Sequence, residues 1–342
     1  MALEQSVLDF DKITEILKSD YGYTLLEMHQ LSFGSANCFK TICIEGIFFL
    51  KEYQSEITLD EVQCEAKLVE FLVEKDFPVA RFHRTLDGTP CIVYKGHVIS
   101  VQDYIEGKTY MNDMPTQFLT QEAKYLGLLH KLLKGYPMKK SMQEKWVETS
   151  DEAIGKYDML LASLEMQKDD PNYQRIKDDL NFKKDLISKI SDFKEYYKGI
   201  TYIPSHGDYT ACQLIFDDKG VKAVIDFSAA TELPAVWEIM RSFIQSYGAC
   251  KNDNPFPIED FVLYVNEYRK YSPLTERDLR AIPYVYLLQL ARSGYGYKEY
   301  LVTKTENRDK LLDFAFWRTD ICREIYRNTE IISNALSENK RM

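Results

Sequence analysis

A stretch past the middle of the chain constrains the fold more than any other part of it. Leu214-Ile215-Phe216 and residues 221–225 are short, apolar, β-prone runs, and Asp217-Asp218-Lys219-Gly220 between them has the composition of a hairpin turn. The chain has to fold back on itself there. Antiparallel pairing about the turn sets Gln213 near Val224 to Asp226, at the open end of the hairpin and beside the loop His206-Gly207-Asp208. An amide oxygen and two carboxylates therefore converge.

Taken singly, Asp208 reads as a turn cap, Asp226 as a strand end and Gln213 as a polar residue. Together they meet the needs of phosphoryl transfer, in which one carboxylate orients the attacking hydroxyl and accepts its proton while other oxygen ligands hold Mg²⁺ against the nucleotide phosphates. Asp208 suits the first role, Gln213 and Asp226 the second.

His-Gly-Asp, an amide residue five positions after the Asp, a hydrophobic strand, a turn and then Ile225-Asp226-Phe227 resemble the catalytic and metal-binding segments of the aminoglycoside phosphotransferase family. That superfamily is distantly similar to protein kinases and includes choline kinases, type II homoserine kinases and kinase-like spore-coat proteins. The resemblance implies an α+β, bilobal, protein-kinase-like fold: a small antiparallel-sheet N-lobe with a helix, and a large, mainly α-helical C-lobe. It implies ATP-dependent transfer of a γ-phosphoryl group to the hydroxyl of a small molecule, with Mg²⁺ or Mn²⁺; GTP stays open, since some relatives use it. The family's metal-binding amide is normally Asn. Gln213 is one methylene longer and has to retract its carbonyl to keep near-octahedral Mg²⁺ geometry. In the same family the residue at His206 braces the catalytic loop, so a structural role is expected for it.

Residues 1–105 are expected to form the nucleotide-binding lobe and residues 106–342 the helical catalytic and substrate lobe. Leu31-Ser32-Phe33, residues 38–45 and residues 47–51 are strand-like, and Gly34-Ser35-Ala36-Asn37 interrupts the first two with small residues that let backbone N–H groups approach a phosphate. A plain hairpin loop has the same composition. The string resembles the family's Gly-x-x-Asn nucleotide loop, which makes Gly34, Ser35 and Asn37 candidate nucleotide contacts. Lys51 closes the apolar run Ile47-Phe48-Phe49-Leu50 and suits either a solvated strand end or pairing with α- and β-phosphates, a task that requires a helix-borne glutamate as partner. Leu59, Val62, Ala66, Val69 and Leu72 follow a period of about 3.6 residues with Glu65 among them, and Glu61 and Glu70 compete for the role. Glu65 is preferred because Cys64-Glu65-Ala66, ahead of Phe77-Pro78-Val79, resembles the family's helix before its Val-Pro element. Residues 98–101 have a buried-strand pattern and run into Gln102-Asp103-Tyr104-Ile105-Glu106-Gly107, which resembles the interlobe hinge. By that resemblance the main chain of Asp103, Tyr104 and Ile105 binds adenine.

Helical patterns follow over residues 119–133, 151–198 with a break at Asp170-Pro171, 237–247, 258–271, 276–293 and 309–336; the polar tail 337–342 is expected to fray. His130 reads as a packed helix histidine. No run approaches the roughly 18–20 apolar residues of a membrane span, and residues 1–19 are acidic and amphipathic rather than a secretory signal. A cytoplasmic enzyme without a membrane partner is expected. Seven cysteines with no Cys-x-x-Cys suggest neither a disulfide framework nor a zinc site, and a net charge of −10 argues against a nucleic-acid partner.

Two other readings stand beside the kinase. One is a catalytically weak, nucleotide-binding scaffold or regulatory protein, suggested by Gln213 and the glycine-poor loop. The other is a metal-dependent phosphoesterase built on His206, Asp208 and Asp226, disfavoured by five histidines that are scattered through the chain. The acceptor is open among amino alcohols, homoserine-like molecules, sugars and antibiotics; residues 268–301 loosely resemble type II homoserine kinases. Glu232, Glu238, Arg241 and Tyr295 are candidates to contact it, each of them also readable as a surface charge or a helix-packing residue.

Overall fold

The computed structural model describes residues 3–31, 36–138, 150–251 and 254–338. Gly34 and Ser35 of the expected nucleotide loop lie outside the described residues, as do Ser32, Phe33 and the tail residues 339–342. By their contacts the residues form two compact units, one of Met1–Thr109 with Gln213–Ala230 and one of Tyr110–Cys212 with Thr231–Met342.

The first unit is built on strands whose alternation sorts its side chains. Strands β1 (Leu25–Leu31), β2 (Asn37–Cys43), β3 (Gly46–Glu52), β4 (Ile92–Tyr94) and β5 (His97–Asp103) form one antiparallel sheet in the order β1-β2-β3-β5-β4. On one face Phe39, Phe48, Leu50, Ile99 and Val101 are buried together with Ile13 and Ile16 of helix α1 (Phe10–Ile16). Successive strand residues point to opposite faces. Lys51 therefore emerges on the other face, in register with Cys38 and Ser100. The first strand covers residues 25–31 rather than starting at Leu31, because an edge strand with exposed Leu26 and a bulge between Leu25 and Glu27 shows little alternation.

Helix α2 (Leu59–Val73) starts at a capping box in which Thr58 and Glu61 satisfy each other's backbone groups. The helix buries Val62, Glu65, Ala66, Val69 and Leu72 along one side. Of the three competing acids, Glu61 is thus engaged at the helix start and Glu70 pairs with Arg84, while Glu65 points inward.

The hairpin read from the sequence forms between Leu214–Asp217 and Gly220–Val224, with Asp217 Oδ1 accepting the Lys219 amide at 2.8 Å. It joins the first unit through backbone bonds: Val224 N–H donates to Pro78 O at 2.9 Å, and Lys108 and Phe216 exchange bonds of 2.9 and 2.8 Å. Gly107 permits this approach, since a Cβ there would lie 2.6 Å from Phe216 O.

The second unit is mainly helical. It contains α3 (Leu119–Leu133), α4 (Ser150–Glu165), α5 (Tyr173–Lys189), α6 (Ala235–Tyr247), α7 (Ile258–Arg269), α8 (Glu276–Arg292) and α9 (Arg308–Glu338). Helix α8 is buried on nearly every side and packs against α5, α6 and α9. Two short strands that no sequence pattern announces, Tyr202–Ser205 and Thr231–Pro234, pair antiparallel and lead into the loop of Asp208 and into α6. No helix among the described residues is long and apolar enough to cross a membrane.

Candidate active site

In the first unit a strand end, a turn and a helix bring three charges together. The Lys51 side chain is 8% exposed, and its ammonium lies 2.8 Å from Asp226 Oδ1, although the two residues are 175 positions apart. Asp226 follows the hairpin in the left-handed backbone region, with φ 58° and ψ 72°, a conformation that Asp tolerates better than most residues. Its own carboxylate steadies the turn, accepting the Ser228 hydroxyl at 2.7 Å and the Ser228 amide at 3.4 Å. Glu65 on α2 accepts the Tyr53 hydroxyl at 2.9 Å and the backbone N–H of Phe227, the residue after Asp226.

The electrostatics of this group are set by burial. Burial raises the Glu65 carboxyl to about 7, against the pull of the Lys51 charge. Burial also works against the Lys51 ammonium, yet the carboxylates of Asp226 and Glu65 outweigh it and hold Lys51 above the ordinary lysine range. The lysine stays charged. Its ion pair is with Asp226, while Glu65 acts on it through space and is hydrogen-bonded to Tyr53.

Gln213 stands at the mouth of the hairpin, where its main-chain carbonyl accepts the Ile225 amide at 2.9 Å. Among the described residues no group of three or more His, Cys, Asp or Glu side chains is placed to hold a metal alone. A carboxylate and an amide fit instead a hard cation that keeps much of its shell from phosphates and water, which is how Mg²⁺ is usually bound.

The other expected nucleotide contacts are distributed unevenly. Asn37 is 2% exposed in β2, and its side-chain amide donates to Glu4 O at 3.1 Å. The Asp103 amide donates to Arg81 O at 2.9 Å, and its carboxylate lies 2.9 Å from His83 Nε2. Among the described residues no backbone hydrogen bond engages the N–H groups of Tyr104 and Ile105.

In the second unit, α6 pins the loop of Asp208. Glu238 Oε1 accepts the Gly207 amide at 2.6 Å, Glu238 Oε2 accepts the His206 amide at 3.2 Å, and Ser246 Oγ accepts the Ala211 amide at 2.7 Å. Gly207 has φ 85°, the left-handed region open to glycine. Burial alone would raise the Glu238 carboxyl; the hydrogen bond and charge of His130, with His206 and the Gly207 amide, bring it below the usual range. His130 lies 2.8 Å from Glu238 Oε2 and 2.7 Å from the Tyr268 hydroxyl, wholly inside the helical core. The acid itself faces outward: the Asp208 carboxylate is 38% exposed and is paired with Arg241 of α6, whose guanidinium lies over the Trp237 ring at 5.5 Å.

One expectation changes, and one alternative loses its support. Glu238 is fully buried as the anchor of the loop and cannot contact an acceptor; an acid inside the apolar run Ala235-Val236-Trp237-Glu238-Ile239-Met240 was the available signal of a buried, paired charge. His206 is fully buried and its Nδ1 accepts the Asp208 amide at 3.2 Å, so its ring is not open to a metal, as the phosphoesterase reading requires. Arg241 does stand beside Asp208. Tyr53 was not foreseen at all, since nothing local marks a tyrosine as the donor to a distant glutamate.

Comparisons with known proteins follow the same lines. A model described as a phosphotransferase enzyme family matches residues 37–274. A search of curated protein sequences gives no match. Among solved structures, a spectinomycin phosphotransferase in complex with ADP and spectinomycin aligns with a TM-score of 0.67 at 14% identity, over 95% of this chain and 99% of that one. An amicoumacin kinase in complex with AMP-PNP, Ca²⁺ and Ami aligns at 0.65 and 14% identity, over 93% and 95% of the two chains. An ethanolamine kinase of Plasmodium vivax aligns at 0.60 and 14% identity, over 96% and 93%. These likenesses show the fold, α+β with a five-stranded antiparallel sheet and a helical C-terminal region. The family match spans most of the sequence, including both the His206-Gly207-Asp208 loop and Ile225-Asp226-Phe227, and the chain belongs to the phosphotransferase enzyme family.

Proposed function

We propose that the protein is an ATP-dependent kinase that transfers a γ-phosphoryl group to the hydroxyl of a small molecule. The observation that carries this reading is the Lys51–Asp226 pair at 2.8 Å, which joins a strand-end lysine to the Ile-Asp-Phe carboxylate in a chain of the phosphotransferase family. The nucleotides in the spectinomycin and amicoumacin enzymes, and the Ca²⁺ in the latter, support a nucleotide and a divalent ion.

In this reading Asp208 orients the acceptor hydroxyl and takes its proton. The acceptor oxygen bonds to the γ-phosphorus as the bridging P–O bond breaks, and ADP leaves with the bonding pair. Lys51 neutralises charge on the phosphate oxygens, and Glu65 keeps it in place with Tyr53. The main-chain N–H groups of Tyr104 and Ile105 bind adenine. Gln213 and Asp226 would hold Mg²⁺, which when bound draws charge from the phosphates. Glu238 holds the Asp208 loop to α6, so the acid's position is built into the helical unit.

The second reading, a nucleotide-binding protein with weak turnover, is favoured by one residue. Gln213 is longer than the family's usual Asn, and Mg²⁺ tolerates little departure from octahedral geometry. One experiment addresses both readings. ADP release is followed across amino alcohols, sugars, hydroxy amino acids and aminoglycosides, with nucleotide binding read by calorimetry. The kinase reading expects turnover with at least one acceptor, and Asp208→Asn to lower it by roughly 10²-fold or more while nucleotide still binds. Nucleotide binding without turnover on the whole panel would put the second reading in place of the first.

A further inference from the structure

We propose that Glu122 of α3 is a positioning residue for phosphoryl transfer, which sets the place of Asp208 by holding the Ser246 hydroxyl that accepts the Ala211 amide. The inference rests on the kinase reading above and adds to it a residue buried in the helical unit.

The Asp208 carboxylate is partly exposed, yet the main chain on either side of it is tied into that unit. Ahead of it, the His206 and Gly207 amides go to Glu238. After it, two ties run to α3. The hydroxyl of Tyr209, a fully buried residue, donates to the main-chain carbonyl of Glu122 at 2.9 Å. The Ala211 amide donates to Ser246 Oγ at 2.7 Å, and Ser246 Oγ donates to Glu122 Oε1 at 2.5 Å. The direction of this second tie is forced. An amide N–H can only donate, so Ser246 has to accept it and has one proton left to place. On a helix a serine hydroxyl readily turns to the carbonyl one turn back. Here the Glu122 carboxyl takes the proton instead and keeps the lone pair of Ser246 toward Ala211. Without that acceptor the hydroxyl is free to turn away, and a buried amide left unpaired is costly enough to move the loop.

Glu122 does this as a neutral acceptor. It is fully buried, and its Oε2 has no partner, so an ionised carboxylate would leave a bare charged oxygen in the core. The ionisable groups that bear on this place are Tyr264 of α7, Tyr209 of the loop and Glu238, one turn before Ser242 on α6; all are acids, and none brings a positive charge to Glu122. Burial accordingly raises the carboxyl to about 8. Ser242 supplies the contrast. Its hydroxyl also donates to Glu122 Oε1, at 2.9 Å, and lies 2.6 Å from the Tyr264 hydroxyl, but among the described residues it makes no bond to the Asp208 loop. The two serines stand one turn apart on α6, equally buried and bonded to the same carboxyl, and Ser246 alone of the two passes that bond to the loop. A merely structural role for Glu122 treats them alike, whereas a positioning role separates them.

The test uses the full-length protein and its variants Ser246→Ala, Ser242→Ala, Glu122→Ala and Glu122→Gln. Turnover is read by ADP release with the best acceptor of the panel above, and the hold on the loop by amide hydrogen exchange of residues 207–212; melting temperatures verify that each variant folds. Ser246→Ala should lower kcat by roughly tenfold or more with KM little changed, since a small misplacement of the reacting group acts on the chemical step, and should speed exchange in the loop. Ser242→Ala should lower the melting temperature and leave kcat and loop exchange as they are. Glu122→Ala should behave as Ser246→Ala does, and Glu122→Gln, which keeps the carbonyl acceptor, should recover most of the lost turnover. If Glu122→Ala does not fold, the two serine variants decide. Unchanged kcat or unchanged loop exchange in folded Ser246→Ala, equal losses of kcat in the two serine variants, or Glu122→Gln no better than Glu122→Ala overturns the proposal and leaves the kinase reading intact. Absence of turnover in the wild-type protein on the whole panel sinks the kinase reading and with it the role in transfer, while loop exchange still tells whether Glu122 holds the loop.

Discussion

Lys51 is a charge in a place where charge must be compensated. Its ammonium is nearly buried, and two carboxylates bear on it, one in contact and one from α2. Residues in one electrostatic network respond to mutation together, with interaction energies of about 0.5–3 kcal/mol. In a double-mutant cycle of Lys51→Ala and Glu65→Ala, nucleotide affinity should therefore fall in each single variant and fall by less than the sum in the double. Strictly additive losses would mean that Glu65 serves only Tyr53 and the Phe227 amide. The choice among Glu61, Glu65 and Glu70 rests on similar detail, since Glu61 caps its own helix and Glu70 has Arg84.

Between elements, the contact of α3 with α6 contains a carboxyl that the fold keeps protonated. Burial raises Glu122 to about 8, although hydrogen bonds from Ser246 and Ser242 pull the other way. The fold therefore holds this proton more tightly than the unfolded chain does. The stability that goes with it is complete below the ordinary carboxylate range and is lost as pH rises through about 8. Relative to Glu122→Gln, the unfolding free energy of the protein should fall between about pH 5 and pH 8, with a slope of at most about 1.4 kcal/mol per pH unit. Urea unfolding at several pH values measures it. Glu65, raised to about 7, has the same sign and is common to both proteins, so it drops out of the comparison. A constant difference across that window would show that Glu122 does not titrate there. The effect reaches the Asp208 loop, because Ser246 also accepts the Ala211 amide.

Over the whole molecule, the seven cysteines report on both cores. All seven are free; Cys38, Cys43 and Cys91 are buried in the first unit, Cys250 and Cys322 in the second, and only Cys64 and Cys212 are partly exposed. Burial pushes the thiols of Cys38, Cys91 and Cys322 up to about 11 and that of Cys250 to about 12, which removes the reactive thiolate at neutral pH. Brief alkylation of the native protein near pH 8 should label Cys64 and Cys212 ahead of the others, and denaturant should open all seven. Mass spectrometry reads the order. Early labelling of Cys91 or Cys322 would contradict the packing described, and in rising urea the two buried sets tell whether the units open together.

What the amino-acid sequence determined by itself is local. Turn residues between two apolar runs specify the hairpin, and the spacing of Gln213 and Asp226 puts an amide and a carboxylate at its open end; the helical periods of residues 59–75, 119–133 and 309–336 reappear as α2, α3 and α9 with small shifts at their ends. The short strands Tyr202–Ser205 and Thr231–Pro234 escaped, because four residues hold too few alternations to show a period and their pairing joins distant segments. Partnership was the part only tertiary structure decided. That Lys51 pairs with Asp226, that Tyr53 donates to Glu65 and that Glu238 holds the Asp208 loop depends on contacts between residues far apart in the chain. Such contacts leave no period or motif behind, since the energy of a buried charge is set by whatever the fold places next to it.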